Sequence, residues 1–369
     1  MKKIFFLYLL IFLTLLYSLF GSVYILANLE FRLFKAARLI IIISNIIIMS
    51  ELFYFFVIKN KKITENFKNI TLPFYSLFLG FFIFEGIFMF IPRTHGVGYT
   101  LAHWIWMSTY WKPINNFGYR DNDFTDKEII NKKKIIVLGD SFAAGAAIKN
   151  INDRFSNLLE KKIPLSYKVI NLGSGGSGTK NEFKRLVEFP FKPDILILQY
   201  YGNDIEDIAY SKEKWFQGFQ PYLDLNKTLR PFIKYSYFLN YIYWLFPHTD
   251  TKSYLNFLTS AFKDKEIMEE HLSDLNKIVE FCKKDNIPLI VVLFPFMKDT
   301  ETSDLFIIPI EKFFINKNIA IVNVADLIDK IPPAKRVVNN NDPHPSVLVN
   351  RLIAEELYRT LLTKKFVVR

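Results

Sequence analysis

Cysteine and histidine are scarce in this chain, and their scarcity excludes several kinds of site. The 369 residues include a single cysteine, Cys282, so neither an intrachain disulfide nor a cysteine-based metal cage is possible. The five histidines are scattered along the chain, which argues against a histidine-rich metal site. The sequence therefore predicts no metal site, and it contains no pattern that requires a cofactor.

Charged residues are also few, and the apolar residues are unevenly spread. Charged residues make up 22% of the chain and apolar residues 51%, a balance that excludes a disordered chain or a coiled coil. The net charge of +11 could indicate a nucleic-acid partner. However, 17% of the residues are aromatic, including 38 phenylalanines, and long apolar runs occupy the N-terminal region. This distribution favours a lipid bilayer over nucleic acid as the partner.

Three apolar runs occupy residues 1–92 and predict about three transmembrane helices. The first, 4–27, has 24 residues without a charge, where about 20 suffice to cross the hydrocarbon core. A secretory signal peptide is the alternative for this run, but its apolar region is usually only about 7–15 residues long. The other two runs, 39–58 and 70–91, are interrupted by only a few polar residues.

The basic residues around these runs predict the topology. Six lie at the N-terminus and between the second and third runs: Lys2, Lys3, Lys59, Lys61, Lys62 and Lys68. Three lie between the first and second runs: Arg32, Lys35 and Arg38. Because the more basic side faces the cytoplasm, three spans place everything after Pro92 outside it. The prediction is a multi-pass membrane protein with an extracytoplasmic domain, and losing one span would invert it.

Two carboxylates, Glu51 and Glu85, fall inside the second and third runs. Carboxylates within a membrane are costly and are often functional. No Lys, Arg or His lies in the same runs to pair with them. We therefore favour a neutral glutamic acid that is hydrogen-bonded to a neighbouring helix over a functional role.

The remaining chain divides into a linker, residues 93–130, and a second region, residues 131–369, in which short apolar runs alternate with helical patterns. The predicted strands are 133–138, 167–172, 194–200, 288–294 and 320–324. The predicted helices are 154–161, 179–188, 266–284 and 347–362. Continuous apolar runs of this length are typical of parallel strands covered on both faces. The sequence therefore predicts an α/β fold, a flavodoxin-like, doubly wound parallel sheet of five strands between two helical layers.

An aromatic-rich insertion, residues 205–262, separates the third and fourth predicted strands. It contains twelve of the chain's aromatic residues between Trp215 and Phe246. Three interpretations are open: a cap that shapes a substrate site, a surface that rests on the bilayer, or a small extra hydrophobic layer on the sheet.

Polar clusters follow the predicted strands, where ligands bind in an open α/β sheet. In chain order they are Gly139-Asp140-Ser141, the Gly-rich run from Gly173 to Thr179, Gly202-Asn203-Asp204 and Asp342-Pro343-His344-Pro345. Together they supply a hydroxyl, backbone N–H groups, a carboxamide, an imidazole and a carboxylate. Each cluster alone is a common turn sequence, but the set is a complete inventory for acyl transfer.

These four blocks, in this order, resemble the SGNH (GDSL) hydrolase superfamily over residues 133 to about 362. The resemblance implies that Ser141 is the nucleophile, that His344 is the base and that Asp342 orients the imidazole. It also implies an oxyanion hole made by the Ser141 N–H, the Gly176 N–H and the Asn203 side chain. The preceding segment 116–121 is similar to membrane-anchored bacterial members.

The blocks depart from the superfamily pattern in one respect. Its commoner spacing puts the acid three residues before the histidine, where this chain has Asn341, whereas Asp342 is only two residues before. The shorter spacing resembles members that act in polysaccharide O-acetylation and some membrane-linked esterases. Gly176 is assigned because it stands five residues after Asn171, as in the superfamily.

Other folds and functions fit the blocks less well. An α/β-hydrolase elbow needs a glycine two residues after the nucleophile, where this chain has Ala143. Gly173, Gly175 and Gly178 match a dinucleotide-binding pattern, but that reading leaves the Ser141 and His344 blocks unexplained. A phosphate loop needs a lysine where Thr179 stands. A membrane scaffold with an inactive site stays open as an alternative.

The predicted activity is ester hydrolysis through an acyl-enzyme. Water as the acceptor makes an esterase, whereas a sugar hydroxyl makes an O-acyltransferase, and no residue pattern fixes the acceptor. Hydrolysis is favoured because three spans are few for a protein that must bring its own acyl donor across a membrane. The expected substrate is an O-acyl ester of a glycan or lipid in the cell envelope. Protein partners and oligomeric state are not predicted.

Overall fold

The computed structural model describes most of the chain after residue 64 and only short pieces before it. The described residues are 42–47, 50, 53–54, 59, 65–96, 98–214, 216, 222, 225–246 and 251–367. The chain divides into two compact units. The first unit comprises Met1–Ser108 and Gln220–His248, and the second comprises Thr109–Phe219 and Thr249–Arg369.

A parallel sheet of five strands forms the centre of the second unit. The strands are β1 (Lys133–Leu138), β2 (Tyr167–Asn171), β3 (Ile195–Tyr201), β4 (Leu289–Phe294) and β5 (Ala320–Asn323). Their order is β2-β1-β3-β4-β5, and every neighbouring pair is parallel. The strands β3 and β4 are buried along their whole length, as their continuous apolar sequences require. The predicted five-stranded α/β fold is confirmed.

Helices cover the sheet and continue into the insertion. In the second unit they are α3 (Asp126–Ile129), α4 (Ser141–Ala144), α5 (Phe155–Glu160), α6 (Thr179–Glu188), α7 (Glu206–Ser211), α10 (Thr251–Lys263), α11 (Lys265–Lys284), α12 (Asp304–Ile315), α13 (Val324–Ile328), α14 (Pro333–Arg336) and α15 (Val347–Thr363). In the first unit they are α1 (Glu65–Phe88), α2 (Leu101–Tyr110, whose last two residues belong to the second unit), α8 (Arg230–Tyr235) and α9 (Tyr237–Tyr243).

The strand order fixes which helices share a face of the sheet. The chain moves from β1 outward to β2, then crosses back over β1 to β3 and continues to β4 and β5. Because parallel connections are right-handed, this reversal puts α5 on one face and α6, α11 and α12 on the other. The contacts agree, since α15 packs on α5 and α11 packs on α6. The reversal between β1 and β3 is the position at which open α/β sheets bind ligands.

In the first unit, Glu85 fixes α1 to the middle of the insertion. Its carboxylate accepts hydrogen bonds from the Ser236 hydroxyl (2.6 Å) and from the backbone N–H groups of Tyr237 (2.8 Å) and Phe238 (3.0 Å). These two N–H groups begin α9 and have no partner within the helix, so Glu85 supplies the cap from another helix. Glu85 is thus bonded to a neighbouring helix, which is one part of the interpretation favoured from the sequence; its neutral state stays a prediction. Glu51 lies outside the described residues.

The two compact units are divided differently from the predicted domains, whose boundaries stay a prediction. The predicted linker, 93–130, is shared between them, and the insertion, 205–262, contributes residues 220–248 to the first unit rather than forming one layer on the sheet. The physical reason lies in contacts that sequence patterns do not reveal. Besides the Glu85 cap, the Asn240 carboxamide accepts a hydrogen bond from the Leu101 N–H at 2.9 Å.

Within the described residues, no helix combines the length and the apolar character needed to cross a membrane. The predicted run 70–91 falls mostly on α1 and therefore gains no support as a span. The run 4–27 lies outside the described residues, as does most of 39–58.

Candidate active site

The chain turns sharply after β1 and places Ser141 at the start of α4. Asp140 caps this short helix by accepting the Phe142 N–H at 2.7 Å. Gly145 ends it in a left-handed conformation, with φ 70°, which favours glycine. Ser141 therefore stands at the carboxyl end of β1, beside the reversal in strand order.

Two glycines let this turn sit directly on the sheet. A Cβ atom on Gly139 would overlap the side chains of Gln199 and Ala143, and one on Gly173 would overlap the backbone of Ala143 and Ala144. Both glycines are therefore needed for close approach rather than for an unusual backbone conformation. The turn is held between the loop after β2 and the strand β3.

Gln199, in β3, holds the Ser141 turn against the sheet and was missed by the sequence analysis. It is fully buried, and its Oε1 accepts the N–H groups of Asp140 (2.9 Å) and Ala143 (3.2 Å). These N–H groups flank Ser141 on both sides, so one side chain fixes the backbone around the hydroxyl. The available signal was a polar residue in an otherwise apolar or aromatic buried strand, since buried polar groups are usually there to form hydrogen bonds.

Asn171, the last residue of β2, ties the Gly-rich loop to the same turn. Its Nδ2 donates to the Ala143 carbonyl (2.8 Å) and to the Ser156 hydroxyl (2.9 Å), and its Oδ1 accepts the Gly173 N–H at 2.8 Å. All these groups are buried. Asn171 therefore sets the start of the Gly-rich loop relative to the Ser141 turn.

The predicted linker also carries two residues that support the site. Arg120 is buried and donates to the carbonyls of Gly145 (2.5 Å) and Ile148 (2.5 Å), the segment that follows α4. Burial and the neighbouring charge of Arg154 lower the pKa of Arg120 to about 10. Arg154 in turn forms an ion pair with Asp121 at 2.8 Å. The segment 116–121 is thus a brace for the nucleophile turn and not only a spacer.

A short hairpin brings a histidine to Ser141. Its strands are β6 (Val337–Asn339) and β7 (Asp342–Pro345), paired antiparallel. His344 Nε2 lies 2.9 Å from Ser141 Oγ, and His344 Nδ1 lies 2.6 Å from Asp342 Oδ1. Asp342 is buried and also accepts the His344 backbone N–H at 3.1 Å. The structure therefore brings together three of the predicted site residues, Ser141, His344 and Asp342, in one hydrogen-bonded chain.

The charges around His344 favour its protonated form. Burial by itself lowers the pKa of His344. The charge and hydrogen bond of Asp342 and the charge of Asp140 together raise it by more than burial lowers it, so the pKa lies above its ordinary value. An ionised Asp342 can only accept, so in the neutral imidazole Nδ1 carries the proton and Nε2 is free to accept the Ser141 hydroxyl proton. This is the arrangement that a general base requires.

The predicted oxyanion donors Asn203 and Gly176 lie on the segments that follow β3 and β2. Asn203 belongs to a 3-10 turn, Gly202–Ile205, after β3. Burial raises the pKa of Asp140, and the nearby Asn203 side chain acts against that rise. The Gly-rich loop comes close through Gly175, where an added Cβ would lie 3.9 Å from Ser141 Cβ. Gly176 has a left-handed φ of 67° and open space beside it. The role of the Gly176 N–H stays a prediction.

A buried acidic cluster lies behind Asn203, consisting of Asp140, Glu182 and Asp204. Burial raises the pKa of all three carboxyl groups, and their mutual repulsion raises those of Glu182 and Asp204 still further. Burial and this repulsion therefore disfavour the ionised forms of Glu182 and Asp204 in particular. Sequence reasoning did not identify Glu182, because a glutamate in a helix is usually exposed.

No group of three or more His, Cys, Asp or Glu side chains among the described residues is arranged to hold a metal ion. Asp140, Glu182 and Asp204 are therefore a cluster of carboxyl groups without the arrangement of a metal site.

The comparisons with known proteins give only distant likenesses. No family model matches the chain, and no curated protein matches it in sequence. Among solved structures, it is similar to a G-D-S-L family protein from Desulfitobacterium hafniense (16% identity, TM-score 0.40), covering 62% of this chain and 100% of that one. A psychrotrophic esterase from Pseudoalteromonas (14%, TM-score 0.38) shares 63% of this chain and 99% of its own.

A third solved structure, a catalytic mutant of an acetylxylan esterase from Geobacillus stearothermophilus, has 16% identity and a TM-score of 0.39, covering 62% of this chain and 94% of that one. The function proposed below rests on the geometry of the site and not on these likenesses.

We predict that Gln199→Leu lowers kcat for hydrolysis of p-nitrophenyl acetate with little change in KM, because the N–H groups of Asp140 and Ala143 lose their shared acceptor. Each buried unsatisfied group also costs about 1–3 kcal/mol of stability. Gln199→Glu keeps the acceptor oxygens and should recover part of the rate.

Tyr200→Phe is the matched control, since it removes a buried hydrogen bond to His271 (2.9 Å) from the neighbouring position, which points to the other face of the sheet. It should lower the thermal unfolding midpoint without changing kcat. A wild-type kcat for Gln199→Leu would contradict the positioning role.

A second prediction concerns the dependence of kcat/KM on pH. His344 must be neutral to act as a base, so kcat/KM should fall as the pH drops through its pKa, which Asp342 and Asp140 hold above the ordinary histidine value. Asp342→Asn removes the carboxylate with the larger effect on this pKa, so the fall in kcat/KM on the acid side of the pH profile should move to lower pH. The rate on the alkaline plateau should also fall, and the analogous loss in serine proteases is about 10⁴-fold.

Asn341→Ala, one residue before Asp342, is the control for the hairpin. It should leave both the acid side and the alkaline plateau of the kcat/KM profile unchanged. An Asp342→Asn variant with an unmoved acid side and a near-normal plateau would reduce the site to a Ser141–His344 dyad.

Proposed function

We propose that this protein is a serine ester hydrolase that works through an acyl-enzyme. The observation that carries the proposal is the hydrogen-bonded chain from Ser141 Oγ to His344 Nε2 (2.9 Å) and from His344 Nδ1 to Asp342 (2.6 Å). A hydroxyl, an imidazole and a buried carboxylate in this order are the parts that acyl transfer by a serine requires.

In the first half of the reaction, Ser141 Oγ attacks the ester carbonyl while its proton passes to His344 Nε2. The imidazolium is stabilised by the Asp342 carboxylate on the opposite nitrogen. As the tetrahedral intermediate collapses, His344 gives the proton to the leaving alcohol, and an acyl group stays on Ser141. In the second half, water repeats the sequence and releases the acid.

The negative charge on the carbonyl oxygen needs donors, each of which is typically worth about 10²–10³ in rate. We assign these donors to the N–H groups of Ser141 and Gly176 and to the Asn203 side chain. The amide of Asn203 has two N–H groups, so it can face the Asp140 carboxyl group and still donate to the oxyanion.

We further propose that the enzyme is anchored in a membrane and acts on an extracytoplasmic O-acyl ester, on a glycan or a lipid. The uncharged run 4–27 supports the anchor, and the six-to-three distribution of basic residues supports the side. An O-acyltransferase shares the same acyl-enzyme and differs only in the acceptor, so the product distinguishes the two activities.

The test is the release of free acetate or fatty acid from cell-envelope fractions by the purified full-length protein. Wild-type protein should release acid, and Ser141→Ala should release none, because no acyl-enzyme can form. Ser174→Ala, a serine in the neighbouring Gly-rich loop, is the control and should stay active. Equal release by wild type and Ser141→Ala would contradict the proposal, and acyl transfer to a sugar without free acid would indicate the acyltransferase.

The proposed side of the membrane is tested by fusing reporters after Arg369. A reporter that is active only outside the cytoplasm should be active, because an odd number of spans separates the two termini. A silent reporter, with a cytoplasmic reporter active in its place, would overturn the extracytoplasmic assignment without affecting the chemistry.

A further inference from the structure

The first unit exposes an apolar surface along α1. Leu77, Ile83, Phe84, Ile87 and Phe90 are each between 47% and 70% exposed. Their spacings of three, four and seven residues put them on one side of α1 and of the turn that follows it, which contains Met89 and Phe90. The opposite side is buried through Phe82, Glu85 and Met89. Exposed apolar patches of this kind mark a surface that contacts a partner or a membrane.

The middle of the insertion continues this surface. Glu85 lies three residues before the end of α1, about 4.5 Å along the helix axis, so its cap fixes the start of α9 beside the C-terminal end of α1. Phe238 then stacks on Phe84 with ring centroids 5.1 Å apart. Beyond this contact, Ile242, Leu245 and Phe246 are 37%, 43% and 62% exposed.

The composition of residues 225–246 indicates what covers the surface. The segment has no acidic residue, eight aromatic residues and three basic residues, Lys227, Arg230 and Lys234. All three basic residues precede Tyr235, and no charge follows it. Basic residues beside exposed aromatic and aliphatic side chains are typical of elements that lie in the interface of an anionic bilayer. Tyr99 and Trp104 of the same unit are also more than half exposed, as in aromatic belts.

We infer that residues 225–246 form a second membrane contact that lies on an anionic lipid bilayer, with Ile242, Leu245 and Phe246 inserted among the acyl chains and the exposed side of α1 facing the same chains. This inference rests on the proposed membrane anchor, since the uncharged run 4–27 is what brings the unit to the bilayer. Glu85 makes the contact possible, because it satisfies the two N–H groups at the start of α9, which lipid could not.

The test is spin labelling of the full-length chain in vesicles of phosphatidylcholine and phosphatidylglycerol. Phe246→Cys and Ile242→Cys carry the label, and the single native cysteine, Cys282, is buried, so the unsubstituted chain supplies the background. Val187→Cys, which replaces a 56% exposed apolar residue of the second unit, is the matched control. Accessibility to oxygen, which concentrates in lipid, is compared with accessibility to a water-soluble nickel complex.

We expect the oxygen-to-nickel ratio to be severalfold higher at positions 242 and 246 than at position 187. Equal ratios in a chain that sediments with the vesicles would overturn the inference and leave the anchor and the esterase proposal intact. Dipolar broadening between labels at position 246 would also overturn it, because it would indicate a second copy of the chain on this surface. A chain that does not sediment with the vesicles would contradict the anchor itself, and this contact with it.

Discussion

The close seating of the Ser141 turn on the sheet is the constraint on which the site depends. Gly139 and Gly173 leave no room for a side chain between the turn, β3 and the loop after β2. Gln199 then accepts the two N–H groups that flank Ser141, and Asn171 holds the Ala143 carbonyl. These contacts fix the Ser141 hydroxyl where it can form a hydrogen bond with His344, which is 203 residues later in the chain.

The second feature of the site is that several of its carboxyl groups are buried, and only some of them have a charged partner. The Asp342 carboxylate is buried yet paired with His344, and this pairing keeps the pKa of the imidazole above its ordinary value. Behind Asn203, burial raises the pKa of Asp140, Glu182 and Asp204. One part of the site thus favours a cation on the histidine, while burial in the other disfavours the ionised forms of Glu182 and Asp204.

The fold and the central residues were predictable because they leave periodic or local signals. The five strands were each predicted to within one residue at either end, since continuous buried apolar runs are unambiguous when they alternate with helical patterns. The helix α12 was not predicted, because its sequence is mostly apolar, contains Pro309 and has no clear amphipathic period. The β6–β7 hairpin around His344 is too short, and too rich in Pro and Asn, to read as strands.

The parts that sequence reasoning missed depend on contacts between distant residues. Gln199 and Glu182 act through groups that only the folded sheet brings near them. Arg120 supports the turn from a segment that the sequence predicts to be a linker. The division of the insertion between two units depends on long-range contacts such as those of Glu85, whose partners lie about 150 residues away. No local pattern encodes such a pairing.

The central claim, that Ser141 is an activated nucleophile, is tested most directly by reaction with a fluorophosphonate probe followed by mass spectrometry of the intact full-length protein and its peptides. The account predicts one phosphonyl group per chain, located on Ser141, with labelling abolished by Ser141→Ala and strongly slowed by His344→Ala. An unlabelled wild-type chain, or labelling that continues unchanged in Ser141→Ala, would contradict it.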